Sequence, residues 1–338
     1  MAKRKRDGIV PSMPKSMVRR EEYVRLIHRL RVFVAVGLLA SFGVFIAVAA
    51  FGGFSSVLGI IEHANMELYS LAFVCVFAGY VARYGKWSYY MRILGIKVDQ
   101  FKSFLIYLSS YSMELTPGRV GHIIAAYTMK KVTRIKFMSI VPIVTMDLFT
   151  DFFGFALIAV VTALYIGRYV GYVLFFVAVL LVPFIIVINP WVFNAIKSRK
   201  NKGRILRKLE EHGNRYYVSQ NRLNRLSVYI GSLAFTIPAD ILNSLGLYFS
   251  FLAVGIRPNP AVSFFIFSTS QIFGMASALP GSIGVADATI VALSGSMLGI
   301  GPAISSAVTI MARIATLWFG VILGMLLLFY TMRYWKKK

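Results

Sequence analysis

The sequence predicts an all-α polytopic membrane protein: about six full spans plus two re-entrant helical hairpins, arranged as an inverted repeat. Three observations point there. Of 338 residues, 58% are apolar, and the mean hydropathy is +0.70, beyond the range of soluble domains. Lys and Arg number 37 against 13 Asp and Glu, and they cluster in segments that can share one membrane face. Two apolar stretches carry a Pro-Gly-x-(Val/Ile)-Gly break, at residues 117–121 and 280–284.

The elements follow in chain order. Residues 1–31 form a basic arm, in which Tyr23, Val24, Ile27 and Leu30 recur at helical spacing among arginines, the pattern of an interfacial helix on an anionic leaflet. Residues 32–190 form the first membrane half. Its first apolar run, 32–52, is longer than a secretory h-region and reads as an uncleaved span. A short loop (54–65) leads to a span at 66–84, a basic loop at 85–102 and a hairpin at 101–129. Spans at 137–166 and 169–190 complete this half. Residues 191–226 form a basic loop, with Ile205, Leu206 and Leu209 suiting a surface helix. The second half, 227–332, holds a span (227–255), a hairpin (261–298) and a last span (302–332), before a basic tail at 333–338.

Charge tests this order. If both Pro-Gly segments turn back within the membrane, 33 of the 37 Lys and Arg fall on one face, which the positive-inside rule makes cytoplasmic, both termini included. The expected location is the plasma membrane. Arg168 and Arg257 remain on the other face, and Arg119 and Arg313 lie within the membrane. Were 101–129 a full crossing, its two basic flanks would lie on opposite faces. Each of its limbs, about 14 residues or roughly 20 Å at 1.5 Å per residue, is also too short for a ~30 Å core. The second hairpin enters from the opposite face. Phe152-Phe153-Gly154 after Asp147 and Asp151 parallels Trp318-Phe319-Gly320 after Arg313, as an inverted repeat would. Broken helices meeting near the midplane point to a transport site.

Ionisable side chains inside a membrane are costly and cannot face lipid. Read from the sequence, this set is Glu114, Arg119, Asp147, Asp151, Asp240, Asp287 and Arg313, with His122. Five acids against two arginines leave negative charge for a proton or cation. Pro117-Gly118 and Pro280-Gly281 each open a new half-helix, whose free N–H groups and positive dipole end favour an anion. Arg119 and Arg313, with Thr116, Gly118, Gly121, Gly281, Ser282 and Gly284, are therefore the candidate substrate-binding set. Pro117 and Pro280 shape the tips. Glu114, Asp147, Asp151, Asp240, Asp287 and His122 are candidates for a proton, a cation or a cationic headgroup. Each has a structural alternative: a Glu114–Arg119 ion pair, Asp147 and Asp151 paired with Arg119 or Arg313, Asp240 as an interhelical contact, Asp287 as a helix-dipole partner, His122 as an ordinary hydrogen-bonded histidine. The single Cys75 has no partner for a disulfide and no metal-ligand spacing. No metal, cofactor or nucleic acid is expected, and no nucleotide loop or nucleophile motif suggests an enzyme.

Leu115-Thr116-Pro117-Gly118-Arg119-Val120-Gly121 and Leu279-Pro280-Gly281-Ser282-Ile283-Gly284-Val285, followed by Arg313 and Trp318, resemble the transmembrane region of the lysylphosphatidylglycerol synthase/flippase family. The resemblance covers nearly the whole chain from about residue 32. It implies a lipid flippase without the synthase domain, moving a phospho- or aminoacyl-headgroup lipid between leaflets, with the headgroup between the two tips. The chain departs from the family at His122 and Asp287, where Glu is frequent, and at residues 147–151, which lack the arginine of a Glu-Arg-x-x-Asp pattern. Expected partners are membrane lipids, anionic inner-leaflet phospholipids among them, with a second copy of the chain or a separate lipid-modifying enzyme as protein partner. The alternatives are an ion-coupled transporter of a small anionic solute and a non-transporting membrane subunit.

Overall fold

The computed structural model describes residues 37–116, 125–130, 135, 137–188, 216 and 218–335. The basic arm, most of the 191–226 loop, and Pro117, Gly118, Arg119, Gly121 and His122 lie outside the described residues. Among the described residues every regular element is helical.

Helix α1 (Gly37–Gly52) meets α2 (Phe54–Glu62) at 98°. Gly53 makes the corner at φ +82°, a conformation open to glycine because it has no Cβ. The expected loop at 54–65 is corrected here: its first nine residues are helical, because Val57, Ile60 and Ile61 fall on one side and pack on Ala49, Ala307 and Ile310. Helix α3 (Met66–Ile93) starts where the Asn65 side chain accepts from Leu68 N at 3.0 Å. It runs nine residues past the expected end at Tyr84. The supposed basic loop from residue 85 is therefore helix as far as Ile93, and Arg83 and Lys86 lie inside the protein.

Helix α4 (Gln100–Ser110) is capped by Asp99, which accepts from Lys102 N, and tightens into a 3₁₀ turn at Tyr111–Met113. Helix α5 (Phe137–Ile166) contains Pro142. A turn through Gly167, at φ +72°, leads to α6 (Val170–Ile188). Helix α7 (Leu226–Ala253) contains Pro238. Asn259 and Pro260 open α8 (Pro260–Ala276), matching the preference for Asn caps and first-turn proline. A broken segment, with Gly281 at φ +58° and Gly284 at φ +85°, leads to α9 (Val285–Leu298). Helix α10 (Pro302–Arg313) passes through a π-helical turn, Ile314–Trp318, into α11 (Phe319–Trp335).

Among the described residues five helices are long and apolar enough to cross a membrane, or six if α1 and α2 form one bent span. One of the five is the stretch Pro280–Leu298, which the sequence reading made the second limb of a hairpin. Only Val285–Leu298 of it is regular α-helix. Its 14 residues cover about 21 Å at 1.5 Å per residue, against an apolar core of ~30 Å.

The two largest packed cores among the described residues hold most of the bundle. Trp87, Tyr107, Ile140 and Met146 anchor one. Phe155, Leu247, Phe251 and Phe265 anchor the other. The outside carries exposed Leu39, Phe42, Phe77, Leu164, Leu326 and Phe329. So much exposed large apolar surface suits lipid rather than water as the surrounding solvent. Helix α11 crosses the first break closely: a Cβ on Gly324 would collide with the backbone of Tyr111 and Ser112.

Candidate functional site: a polar chamber beneath two helix breaks

Helix α3 supplies the largest surprise. Arg83 is 6% exposed and Lys86 0%. One turn apart, they share a helix face turned toward α5 and α7. Arg83 Nη1 donates to Asp151 Oδ2 at 2.7 Å, and Nη2 donates to Asp240 Oδ1 at 2.6 Å. Lys86 Nζ lies 2.8 Å from Asp147 Oδ1 and donates to Asp151 Oδ1 and, at 3.2 Å, to Thr150 Oγ1. The Tyr90 hydroxyl meets Thr150 Oγ1 at 3.2 Å. Two cations on one helix thus bind three carboxylates on two others. Among the described residues Asp147 pairs with Lys86, and Asp151 with both Arg83 and Lys86; the alternative pairing with Arg119 falls on a residue outside them. The surplus of negative charge counted earlier falls accordingly, because Arg83 and Lys86 had been counted with the basic segments of the cytoplasmic face.

A second pair sits at the other break. Asp287 Oδ2 accepts from Gly284 N at 2.8 Å, capping α9. Its Oδ1 lies 2.9 Å from Arg313 Nε. Arg313 Nη2 donates to the Gly281 carbonyl at 2.7 Å. One guanidinium therefore ties down both the tip and the cap that follows it. Arg313 stands just before the π turn, a feature frequent at functional sites. Within that turn the Thr316 carbonyl accepts from Tyr80 OH at 2.9 Å.

Arg83 and Arg313 come together. Both line one chamber with Glu114, Asn243, Gln271 and Gly281. Its free volume is about 30 Å³, room for one or two waters. Glu114 Oε2 and Arg83 Nε are buried there without a hydrogen-bond partner among the described residues, while Arg313 Nε is ion-paired with Asp287. The two breaks touch: Leu115 lies against Gly281 and packs with Ile283, Leu317 and Val321. Of the sequence candidates, Glu114, Gly281 and Arg313 line the chamber. Asp240, Asp151 and Asp287 reach it through the two arginines. Thr116 and Ser282 are buried at the breaks, where the Thr116 hydroxyl donates to Met113 O. Among the described residues no group of His, Cys, Asp and Glu could hold a metal ion.

Sequence reasoning missed Arg83, Lys86, Asn243 and Gln271. The signal was present in Tyr80, Arg83, Trp87 and Tyr90, spaced three and four apart in a run that stays apolar and aromatic beyond Lys86. Close packing carries the network. A Cβ on Gly154 would collide with the Asp240 carboxylate and the Thr236 methyl. Gly154→Val is expected to cost about 1–3 kcal/mol, the usual penalty of overpacking, read as a lower thermal midpoint in detergent.

The fold and the site define a multi-pass helical membrane protein with buried, paired charges. The family model described as the lysylphosphatidylglycerol synthase TM region matches residues 32–324, and the chain belongs to that family. A UPF0104 membrane protein from Methanothermobacter thermautotrophicus is 24% identical over 258 residues, covering 69% of this chain and 76% of that protein.

Proposed function

We propose that the protein moves a polar-headgroup lipid, phospho- or aminoacyl-, between membrane leaflets, as a carrier rather than an enzyme. The observation that carries this reading is the convergence of Arg83 and Arg313 on one polar chamber, below two helix breaks that touch. A guanidinium suits a phosphate geometrically. Glu114, with a buried oxygen lacking a partner among the described residues, suits a cationic headgroup group or a coupling proton. The acyl chains would stay in lipid. At about 30 Å³ the chamber is closed to a headgroup, so the breaks must part for loading. The inverted-repeat arrangement, with the two Pro-Gly segments as re-entrant tips entering from opposite faces, belongs to this proposal. So do a plasma-membrane location and cytoplasmic termini.

One observation favours a second reading. Arg83, Lys86 and Arg313 are all engaged by carboxylates or carbonyl, as in a non-transporting subunit whose charges serve structure. Vesicles reconstituted with the protein and labelled phosphatidylglycerol, phosphatidylethanolamine or aminoacyl lipid separate the two. The carrier reading expects lipid to cross faster than in empty vesicles, with Arg119→Ala and Arg313→Ala each slowing it at least tenfold. Crossing at the empty-vesicle rate favours the structural subunit. Unchanged rates in both variants would remove the site assignment.

A further inference from the structure

A groove of about 980 Å³ opens where α3 begins and α7 ends, well away from the central chamber. Asn65 N donates to Ala253 O at 2.8 Å, joining the two helix ends at its base. Gly59 and Ile60 of α2 line it, with His63, Leu68, Leu252 and Arg257. The volume lies at the upper end of the 300–1,000 Å³ typical of small-molecule sites. Helices α3 and α7 both qualify as spans, so their ends mark the level where the apolar core meets lipid headgroups. Helix α2, at 98° to α1, has the orientation of a helix lying in that interface.

The lining has two characters. Ile60, Leu68 and Leu252 are apolar and half-buried, which fits an acyl chain. Asn65 also lines the groove. Its side-chain oxygen is engaged by Leu68 N, which leaves the amide N–H groups as donors. Arg257 is exposed, and the charge count puts it on the face from which Lys and Arg are nearly absent. A cation kept against that trend, in a groove with apolar walls, complements an anionic amphiphile at the membrane surface. The His63 ring is held by a 2.8 Å bond from Nδ1 to Gly59 O, so it forms a fixed wall.

We infer that this groove binds one anionic phospholipid, with its phosphate on Arg257 and the Asn65 amide, and an acyl chain along Ile60, Leu68 and Leu252. The face given to Arg257 rests on the topology of the proposed function, while the binding itself requires no translocation, so a failed flipping assay leaves this test intact. It is tested with the purified full chain in detergent, titrated with phosphatidylglycerol or phosphatidylcholine while bound lipids are counted by native mass spectrometry. Removing Arg257 (Arg257→Ala) is expected to weaken phosphatidylglycerol binding about fivefold, from roughly 1 kcal/mol per surface cation on anionic lipid, and phosphatidylcholine less than twofold. A Cβ on Gly59 meets nothing within 4 Å. Gly59→Phe should therefore fill the groove without disturbing the fold, and remove one bound phosphatidylglycerol. An unchanged thermal midpoint shows that each variant is folded; should Gly59→Phe fail this control, Arg257→Ala decides alone. Wild-type lipid count and affinity in the folded variants would overturn the inference. Displacement of the bound lipid by millimolar inorganic phosphate would also overturn it, since the groove would then read a soluble anion.

Discussion

Lys86→Met is expected to leave little folded protein. Lys86 is fully buried, and among the described residues its ammonium is ion-paired with Asp147 and with Asp151, which Arg83 also holds. Removing it takes a positive charge away from two carboxylates that are themselves buried. Breaking a buried pair from one side costs about 3–5 kcal/mol, a large share of a typical stability of about 5–15 kcal/mol. Asp147→Asn added to Lys86→Met restores the balance, leaving Asp151 and Asp240 on Arg83. The double variant should therefore recover most of the monodisperse peak in detergent size exclusion after heating. A single variant as stable as wild type, or a double variant no better than the single one, would show that Lys86 does not neutralise this cluster.

Arg313→Lys is expected to keep the charge and lose the geometry. The guanidinium reaches Asp287 through Nε and the Gly281 carbonyl through Nη2 at once. A lysine ammonium is a compact point charge without that fork. It can balance Asp287 but cannot also hold Gly281 from the same position. The break at Gly281–Ser282 should then loosen while the fold persists. Ser282 is 7% exposed. With Cys75→Ser removing the only native thiol, Ser282→Cys should react with a small maleimide at least tenfold faster when combined with Arg313→Lys than when Arg313 is kept. Equal labelling rates would mean that Arg313 does not restrain the break.

Much of the fold was legible because membrane helices announce themselves. Phe137–Ile166 was read with the boundaries it has, since nothing polar interrupts its ends. Pro260 and Gly299 punctuate α8 and α9 as local chemistry dictates. The end of α3 was not legible for a definite reason. Arg83 and Lys86 look like the basic flank of a span until their partners are known, and those partners are 61 to 157 residues away. No local pattern carries that information. Asp147 and Asp151 were recognisable as a pair on one face, but their cations were not. Helix α2 was hidden by the Gly52-Gly53 corner and by serines that suit a loop equally well. The π turn after Arg313 depends on packing around Tyr80 and Gly320, whose Cβ would meet the Tyr80 hydroxyl, and sequence periodicity does not encode it.

On the carrier reading the two breaks part to admit a headgroup. Leu115 and Ile283 pack in one cluster at the junction of the breaks, so Leu115→Cys with Ile283→Cys, in the Cys75→Ser background, places a thiol on each side. A short bis-methanethiosulfonate reagent bridges them and a reductant releases them, so one sample of folded protein in vesicles serves as its own control. Lipid crossing should stop when the bridge forms and return when it is reduced. Crossing at the same rate in the bridged and reduced states would contradict the account.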